Sequence, residues 1–270
     1  MDLAPGQRVG DYRLERLLGD GATGLVFSSG EVAVKILRPE RADERVPRAR
    51  FLREARLASE IASRHVVPIL EVGHLEGVVY LVMPLYAGSL ADRLRASGPL
   101  SVDGTAELAA GLGRGLDALH SRGILHRDVK PSNVLLDEGG VAALADFGLA
   151  RAPDSTRLTR EGQLLGSLHY LAPELIEGAE ATQASDVYAL GCLLYEAIVG
   201  EPPFAARSPA ELGFAHLVEP PPDPRDRRPE LSSQVVDALL TPLEKNPSDR
   251  PSTGTALARM LRLARTASPA

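Results

Sequence analysis

The run His126-Arg127-Asp128-Val129-Lys130-Pro131-Ser132-Asn133 is followed, thirteen residues after Asn133, by Asp146-Phe147-Gly148. Together the two stretches present a carboxylate that can accept a proton, an ammonium, an amide oxygen and a second carboxylate. Composition argues that this set is no accident. The chain has 3 Lys (Lys35, Lys130, Lys245) against 27 Arg, and only two Asn, Asn133 and Asn246. A sequence that writes Arg nearly everywhere keeps Lys where a compact, strongly hydrated point charge is needed. Lys130 and Asn133 both fall inside this one run.

Working outward, further landmarks appear in order: Gly19-Asp20-Gly21-Ala22-Thr23-Gly24-Leu25-Val26, then Val32-Ala33-Val34-Lys35, and beyond the central run Ala172-Pro173-Glu174, Asp186-Val187-Tyr188-Ala189-Leu190-Gly191 and Asp249-Arg250-Pro251. One G-x-G-x-x-G is weak evidence, whereas the whole ordered set is specific. From about Tyr12 to about Leu263 the chain resembles the protein kinases, in particular the bacterial eukaryotic-like Ser/Thr kinases. The resemblance implies an α+β, bilobal fold: a small N-lobe with an antiparallel β-sheet and one helix, and a large, mostly α-helical C-lobe. Its lobes would span 1–83 and 89–265, with a hinge at 84–88 and a tail at 266–270. It also implies transfer of the ATP γ-phosphoryl group to Ser/Thr hydroxyls of proteins, with Mg2+ (or Mn2+ in its place) as cofactor. Two other classes compete: a nucleotide-binding scaffold with a silent site, and a small-molecule phosphotransferase. Lys35, Asp128, Asn133 and Asp146 oppose the first; Ala172-Pro173-Glu174 and a long activation segment oppose the second.

The resemblance assigns roles residue by residue. Asp128 orients the substrate hydroxyl and takes its proton, and Lys130 neutralises charge on the transferring group. Asn133 and Asp146 offer hard oxygen ligands to the metal. Leu18, Gly19, Asp20, Gly21, Ala22, Thr23, Gly24 and Leu25 form a loop whose backbone N–H groups approach phosphates without Cβ obstruction. Lys35 holds the α- and β-phosphates. Glu54 aims it from an apolar helical stripe of Phe51, Ala55, Ala58 and Ile61, unless that carboxylate sits at the stripe's edge and is simply solvated. Val26, Ala33 and Leu135 sandwich the adenine, and Met83 guards the back of its pocket. Pro84 offers only a carbonyl and Tyr86 an N–H to the ring. Arg127 resembles the arginine that pairs with a phosphorylated activation loop, for which Thr159 is the expected site. Glu161 either supplies part of that negative charge permanently or is a solvated loop glutamate. Ser167 keeps a hydroxyl for Asp128 and Lys130, and Leu168 bears on the residue just after the target. Glu174 and Arg250 are expected to pair, and Asp186 to hold the backbone near Arg127.

Periodicity predicts strands over Leu14–Leu18, Leu25–Ser28, Glu31–Leu37, Val67–Val72 and Val78–Met83. Pairing Val26 with Ala33 leaves Ser29-Gly30 as a two-residue turn. Helical patterns follow around Leu90–Leu94, Val102–Ser121, Ser185–Gly200, Gln234–Leu243 and Thr253–Arg265, with Pro220–Pro224 as an extended loop. The net charge of −6 argues against a nucleic-acid partner. The lone Cys192, in an apolar run, reads as a buried small residue and fits a reducing compartment. The N-terminus lacks the basic and apolar regions of a signal peptide, and no uninterrupted apolar stretch approaches the length of a membrane span. These features point to a cytoplasmic protein without a membrane segment. Its partners would be protein substrates, ATP and, for trans-autophosphorylation, a second copy of the chain.

Overall fold

The computed structural model describes residues 3–21, 24–37, 59–75, 78–147, 166–205 and 208–266. Its first part is a five-stranded antiparallel sheet of β3 (Leu17–Gly21), β4 (Gly24–Ser29), β5 (Val32–Leu37), β6 (Glu71–Leu75) and β7 (Val78–Pro84), in the order β3-β4-β5-β7-β6. Strand β5 is buried along almost its whole length because both its faces are covered. Val34 and Ile36 face one side, with Leu14, Phe27, Tyr80 and Val82. Ala33, Lys35 and Leu37 alternate to the other. A hairpin of β1 (Arg8–Val9) and β2 (Tyr12–Arg13) closes the outer side, adding Val9 and Tyr12 to that cluster. The Tyr12 and Tyr80 hydroxyls both donate to the Glu71 carboxylate, at 2.7 and 2.9 Å.

Four expectations need correction here. The β4–β5 register pairs Val26 with Lys35 and Ser28 with Ala33, two residues away from the expected one. The turn is therefore Gly30-Glu31, with Gly30 at φ +59°. Glycine at the first central position, followed by a residue without positive φ, is the type II′ pattern. A shift of two leaves every side chain on its expected face, so Val26 and Ala33 still meet in one cluster. Secondly, the first strand of the sheet runs over Leu17–Gly21, not Leu14–Leu18, with a bulge between Leu17 and Gly19. Leu14 is buried all the same, under the N-terminal hairpin. Thirdly, β6 begins at Glu71. Val66 and Val67 pair with the lower part of the molecule instead, Val67 N–H donating to the Leu144 carbonyl at 2.9 Å. Lastly, Gly19, Asp20, Gly21 and Gly24 are strand residues of a hairpin rather than an open loop.

The second part is mainly helical, with a small antiparallel sheet of β8 (Gly88–Ser89), β9 (Val134–Leu136) and β10 (Ala142–Leu144) beside it. Its helices are α1 (Leu90–Ser97), α2 (Val102–His120), α3 (Pro173–Ile176), α4 (Gln183–Val199), α5 (Pro209–Val218), α6 (Ser233–Leu240) and α7 (Gly254–Thr266). The sequence reading lacks α5, although Ser208 and Glu211 form a capping box at its start. Helix α4 is the axis: Tyr188, Leu190, Leu193 and Leu194 are fully buried. Helices α2 and α7 touch through glycines, a Cβ at Gly113 falling 2.5 Å from the Gly254 carbonyl oxygen. Asp117 of α2 caps α7, accepting from the N–H groups of Gly254 (2.8 Å) and Thr255 (3.1 Å). Among the described residues no helix is long and apolar enough to cross a membrane.

Candidate active site

The central run folds into a loop held from below by α4. The buried Asp186 carboxylate accepts the backbone N–H groups of His126 and Arg127, each at 2.8 Å, and contacts His120 Nε2 at 2.8 Å. These bonds clamp a backbone that turns through positive φ at Arg127 (+65°), a conformation that costs a non-glycine residue about 1 kcal/mol or more. The turn leads into a short 3-10 helix, Pro131–Asn133, with Lys130 as its N-cap residue. Asp128 Oδ2 lies 2.8 Å from Lys130 Nζ and accepts from Asn133 Nδ2 at 2.8 Å. Asn133 Nδ2 also donates to the Asp128 carbonyl at 2.8 Å. Both amide hydrogens of Asn133 are thus engaged, which turns its Oδ1 the other way as a ready acceptor.

The second carboxylate arrives beside this loop from β10. The Ala145 N–H donates to the Asn133 carbonyl at 2.8 Å, so Asn133 and Asp146 are held as neighbours. Asp146 has φ +60° and pairs with Lys35 Nζ at 2.7 Å, although the lysine is 3% exposed. Phe147 turns inward and meets the His126 ring edge-on at 6.3 Å. Burial, ahead of the opposing pull of Asp186, Asp128 and Asp146, holds the His126 pKa below the ordinary 6.5. Its Nδ1 accepts from the Asp128 N–H at 3.3 Å, which puts the ring hydrogen on Nε2. Glu54, Ala22, Thr23, Thr159, Glu161 and Gly148 lie outside the described residues. Among the described residues, Lys35 pairs with Asp146.

Above these groups, Ala33, Val67, Met83, Ala143 and Ala145 form one apolar cluster, with Val26, Tyr86 and Leu135 packed against it. Leu18 and Leu85 are exposed. The glycines differ in what demands them. A Cβ on Gly24 would fall 2.1 Å from the Ile36 carbonyl oxygen, so the β4–β5 approach alone requires glycine there. Among the described residues, a Cβ on Gly19 would meet nothing within 4 Å, and one on Gly21 only an ordinary contact at 3.8 Å. The described residues alone therefore do not demand glycine at those two positions. A ligand lying against the hairpin fits that pattern. Pro84 is accommodated by the ladder. Leu85 N–H donates to the Glu31 carbonyl at 2.9 Å, which makes Val32/Pro84 a pair without hydrogen bonds. The missing proline N–H faces away from β5 and costs nothing.

On the other side of Asp128, Lys130 Nζ donates to Ser167 Oγ at 2.8 Å. Glu174 and Arg250 form a two-pronged pair, Nη1 to Oε1 at 2.9 Å and Nη2 to Oε2 at 2.8 Å. Three polar contacts are absent from the sequence reading: His120 as a buried partner of Asp186, and the part-buried pairs of Tyr170 donating to Glu196 at 2.5 Å and Arg114 against His65 at 3.1 Å. Each joins residues 26 to 66 positions apart, which short-range patterns do not reveal.

A family profile described as a protein kinase domain matches residues 12–261. The serine/threonine-protein kinase PknD of Mycobacterium tuberculosis is 38% identical over 253 residues, covering 91% of this chain and 38% of that protein. The chain thus spans about two fifths of the length of this curated relative. The crystal structure of the Mycobacterium tuberculosis PknI kinase domain superposes with a TM-score of 0.75 at 29% identity, covering 97% of this chain and 99% of that one. A Rad53 fragment solved in complex with AMP-PNP gives a TM-score of 0.73 at 26% identity, over 92% of this chain and 63% of that one. The fold as a whole has its counterpart in these solved structures, and the chain belongs to the protein kinase domain family.

Proposed function

We propose that the chain is a Ser/Thr protein kinase that uses ATP to phosphorylate protein hydroxyls, and its own activation segment among them. One observation carries this: Asp128, Lys130 and Asn133 are locked together by hydrogen bonds, and Lys35–Asp146 closes on them from the sheet. Asp128 accepts the hydroxyl proton, with one carboxylate oxygen already fixed by Lys130 and Asn133. Lys35, buried and cationic, holds phosphate oxygens of ATP. The apolar cluster of Ala33, Met83, Val26 and Leu135 takes the adenine. Asn133 Oδ1 and the Asp146 carboxylate are hard oxygen donors suited to Mg2+, with Mn2+ as a substitute. When bound, such an ion neutralises charge between the phosphates. The Lys130–Ser167 bond places the segment after residue 166 beside Asp128, where an acceptor side chain must lie.

Thr159 is the site expected to be phosphorylated, reached from a second copy of the chain and paired with Arg127. We place the protein on the cytoplasmic side, where ATP is available, with no role for nucleic acid. The test is intact mass after incubation with Mg-ATP, beside Asp128→Asn, followed by mapping. Phosphate on the wild type alone, with Thr159 among the sites, is the expected result. A wild type that binds ATP and neither gains mass nor modifies an added protein overturns the proposal.

A further inference from the structure

Two of the three lysines serve the site already described; the third, Lys245, sits at the end of α5. It is half-buried, and its Nζ donates to the carbonyls of Ala215 (3.1 Å) and His216 (2.8 Å), in the last turn of α5. A cation at the C-terminal end of a helix satisfies orphan carbonyls and complements the helix dipole. The same ammonium stands 4.6 Å from the centre of the Phe204 ring. Phe204 packs with Leu212 and Ala215 of α5, and Leu168 lies against that cluster. The Phe204 carbonyl accepts from His169 Nδ1 at 2.9 Å. Two residues before His169, Ser167 takes the hydrogen bond from Lys130, itself 2.8 Å from Asp128.

A contiguous support thus runs from Lys245 through Phe204 and the end of α5 to residues 167–169, next to the reacting carboxylate. We propose that Lys245 is a positioning residue for the protein substrate: it sets the platform on which Leu168 and His169 rest, and so the surface an acceptor chain meets beside Asp128. Lysine suits the place, since one compact ammonium reaches two carbonyls and a ring face, where the planar guanidinium fork of arginine would not. The inference rests on the kinase reading above.

The test measures transfer to the Asp128→Asn chain as protein acceptor, with wild-type, Lys245→Met and Lys245→Arg enzymes. ATP hydrolysis without acceptor and amide hydrogen exchange are followed in parallel. Lys245→Met is expected to raise the KM for the acceptor about tenfold, the factor one lost charge-assisted hydrogen bond corresponds to. Its KM for ATP and its acceptor-free hydrolysis stay at the wild-type level. Lys245→Arg falls between. His169→Ala behaves like Lys245→Met, while His169→Asn, whose amide can donate as Nδ1 does, is rescued. Amides of 167–171 exchange faster in Lys245→Met, and those of 126–136 do not. An unchanged acceptor KM sinks the idea, as does a parallel fall in every activity with faster exchange throughout. If the wild type transfers no phosphate, the kinase reading fails, and the exchange pattern still decides whether Lys245 holds 167–169.

Discussion

Replacing Arg250 by lysine keeps the charge and removes the fork, which makes it a sharp test of the Glu174 pair. All five guanidinium N–H donors are in use: Nε to the Glu244 carbonyl (2.7 Å), Nη1 to Glu174 Oε1 and the Ala184 carbonyl, Nη2 to Glu174 Oε2 and the Lys245 carbonyl. The Arg250 side chain is 0% exposed and its guanidinium carbon stands 4.7 Å from the centre of the Tyr188 ring. An ammonium has three donors, so at least two buried acceptors lose their partner, at about 1–3 kcal/mol each. Retained attraction to Glu174 places the sum near the lower end of the range for breaking a buried pair, about 3 kcal/mol. For a chain of this size that lowers Tm by roughly 6–12 °C. Urea unfolding followed by far-UV circular dichroism and tyrosine emission suits a protein with 6 Tyr and no Trp. Arg250→Met should cost about 3–5 kcal/mol, because Glu174 is then left half-buried without a cation, keeping the Ser185 hydroxyl and a backbone N–H. A double-mutant cycle with Glu174→Gln should show coupling of about 2 kcal/mol. A loss below about 1 kcal/mol for Arg250→Lys, or additive effects in the cycle, refutes the reasoning.

Acid should weaken the fold through two groups. Burial alone would raise the Glu174 carboxyl, but hydrogen bonds from Arg250, the backbone and Ser185 outweigh it and hold it below 4.5. Its contribution is full above 4.5 and lost as pH falls through the lower folded value, so Glu174→Gln should flatten the stability profile at the acid end. His216 is lowered to about 3 from 6.5, by burial first and then by the charges of Lys245 and His169. Above 6.5 the ring is neutral in both states. Between 6.5 and about 3 only the unfolded chain takes up the proton, and stability falls by about 1.4 kcal/mol per pH unit. His216→Asn should remove that increment from the urea midpoint measured between pH 7 and pH 4; equal slopes would dismiss it. Cys192 is 0% exposed and its thiol is pushed well above the ordinary range by burial, so a thiol reagent should label it only in denaturant. Labelling of the native protein would show that α4 opens. Gly73→Ala sets a Cβ 1.9 Å from Tyr80 Cζ and should destabilise by about 1–3 kcal/mol, read as a lower Tm; a neutral result would mean the Tyr80 ring moves aside freely.

How much of this was legible depended on the range over which the signal acts. Asp128, Lys130 and Asn133 are joined by bonds spanning five residues or fewer, and their spacing in the chain already announces a local constellation. The pairing of Glu174 with Arg250, and of Asp186 with the backbone at Arg127, was expected only because the family pattern supplies partners that no local periodicity could. The β4–β5 hairpin shows the limit of local reading. Alternation identifies which side chains share a face, and it is blind to a slip of two residues. Only the turn chemistry separates the two registers, and glycine at the first central position favours Gly30-Glu31 over Ser29-Gly30. Val67, the first residue of the expected Val67–Val72 strand, misled for a different reason, and Val66 beside it behaves alike. Their apolar character is real, but it serves a contact with Leu144 across the molecule rather than a place in the main sheet. Helix α5 was missed although its capping box was readable, because Phe214 and Val218 point to solvent and blur the apolar stripe.

The division of labour between lysine and arginine ties these observations together. Where the fold presents five acceptors around one point it uses Arg250, whose planar fork meets them all. Where it presents a single carboxylate in a buried place, or a carboxylate and a hydroxyl on either side of one atom, it uses Lys35 and Lys130. At the end of α5, two carbonyls and an aromatic face converge on one atom, and Lys245 stands there. With 27 of 30 basic residues written as Arg, each of the three exceptions meets acceptors arranged around a point rather than along a plane. The scarcity of lysine that drew attention to Lys130 in the sequence therefore extends to Lys245, whose surroundings meet the same geometric need for a point charge. That is why a residue remote from Asp128 belongs in an account of how this chain meets its substrate.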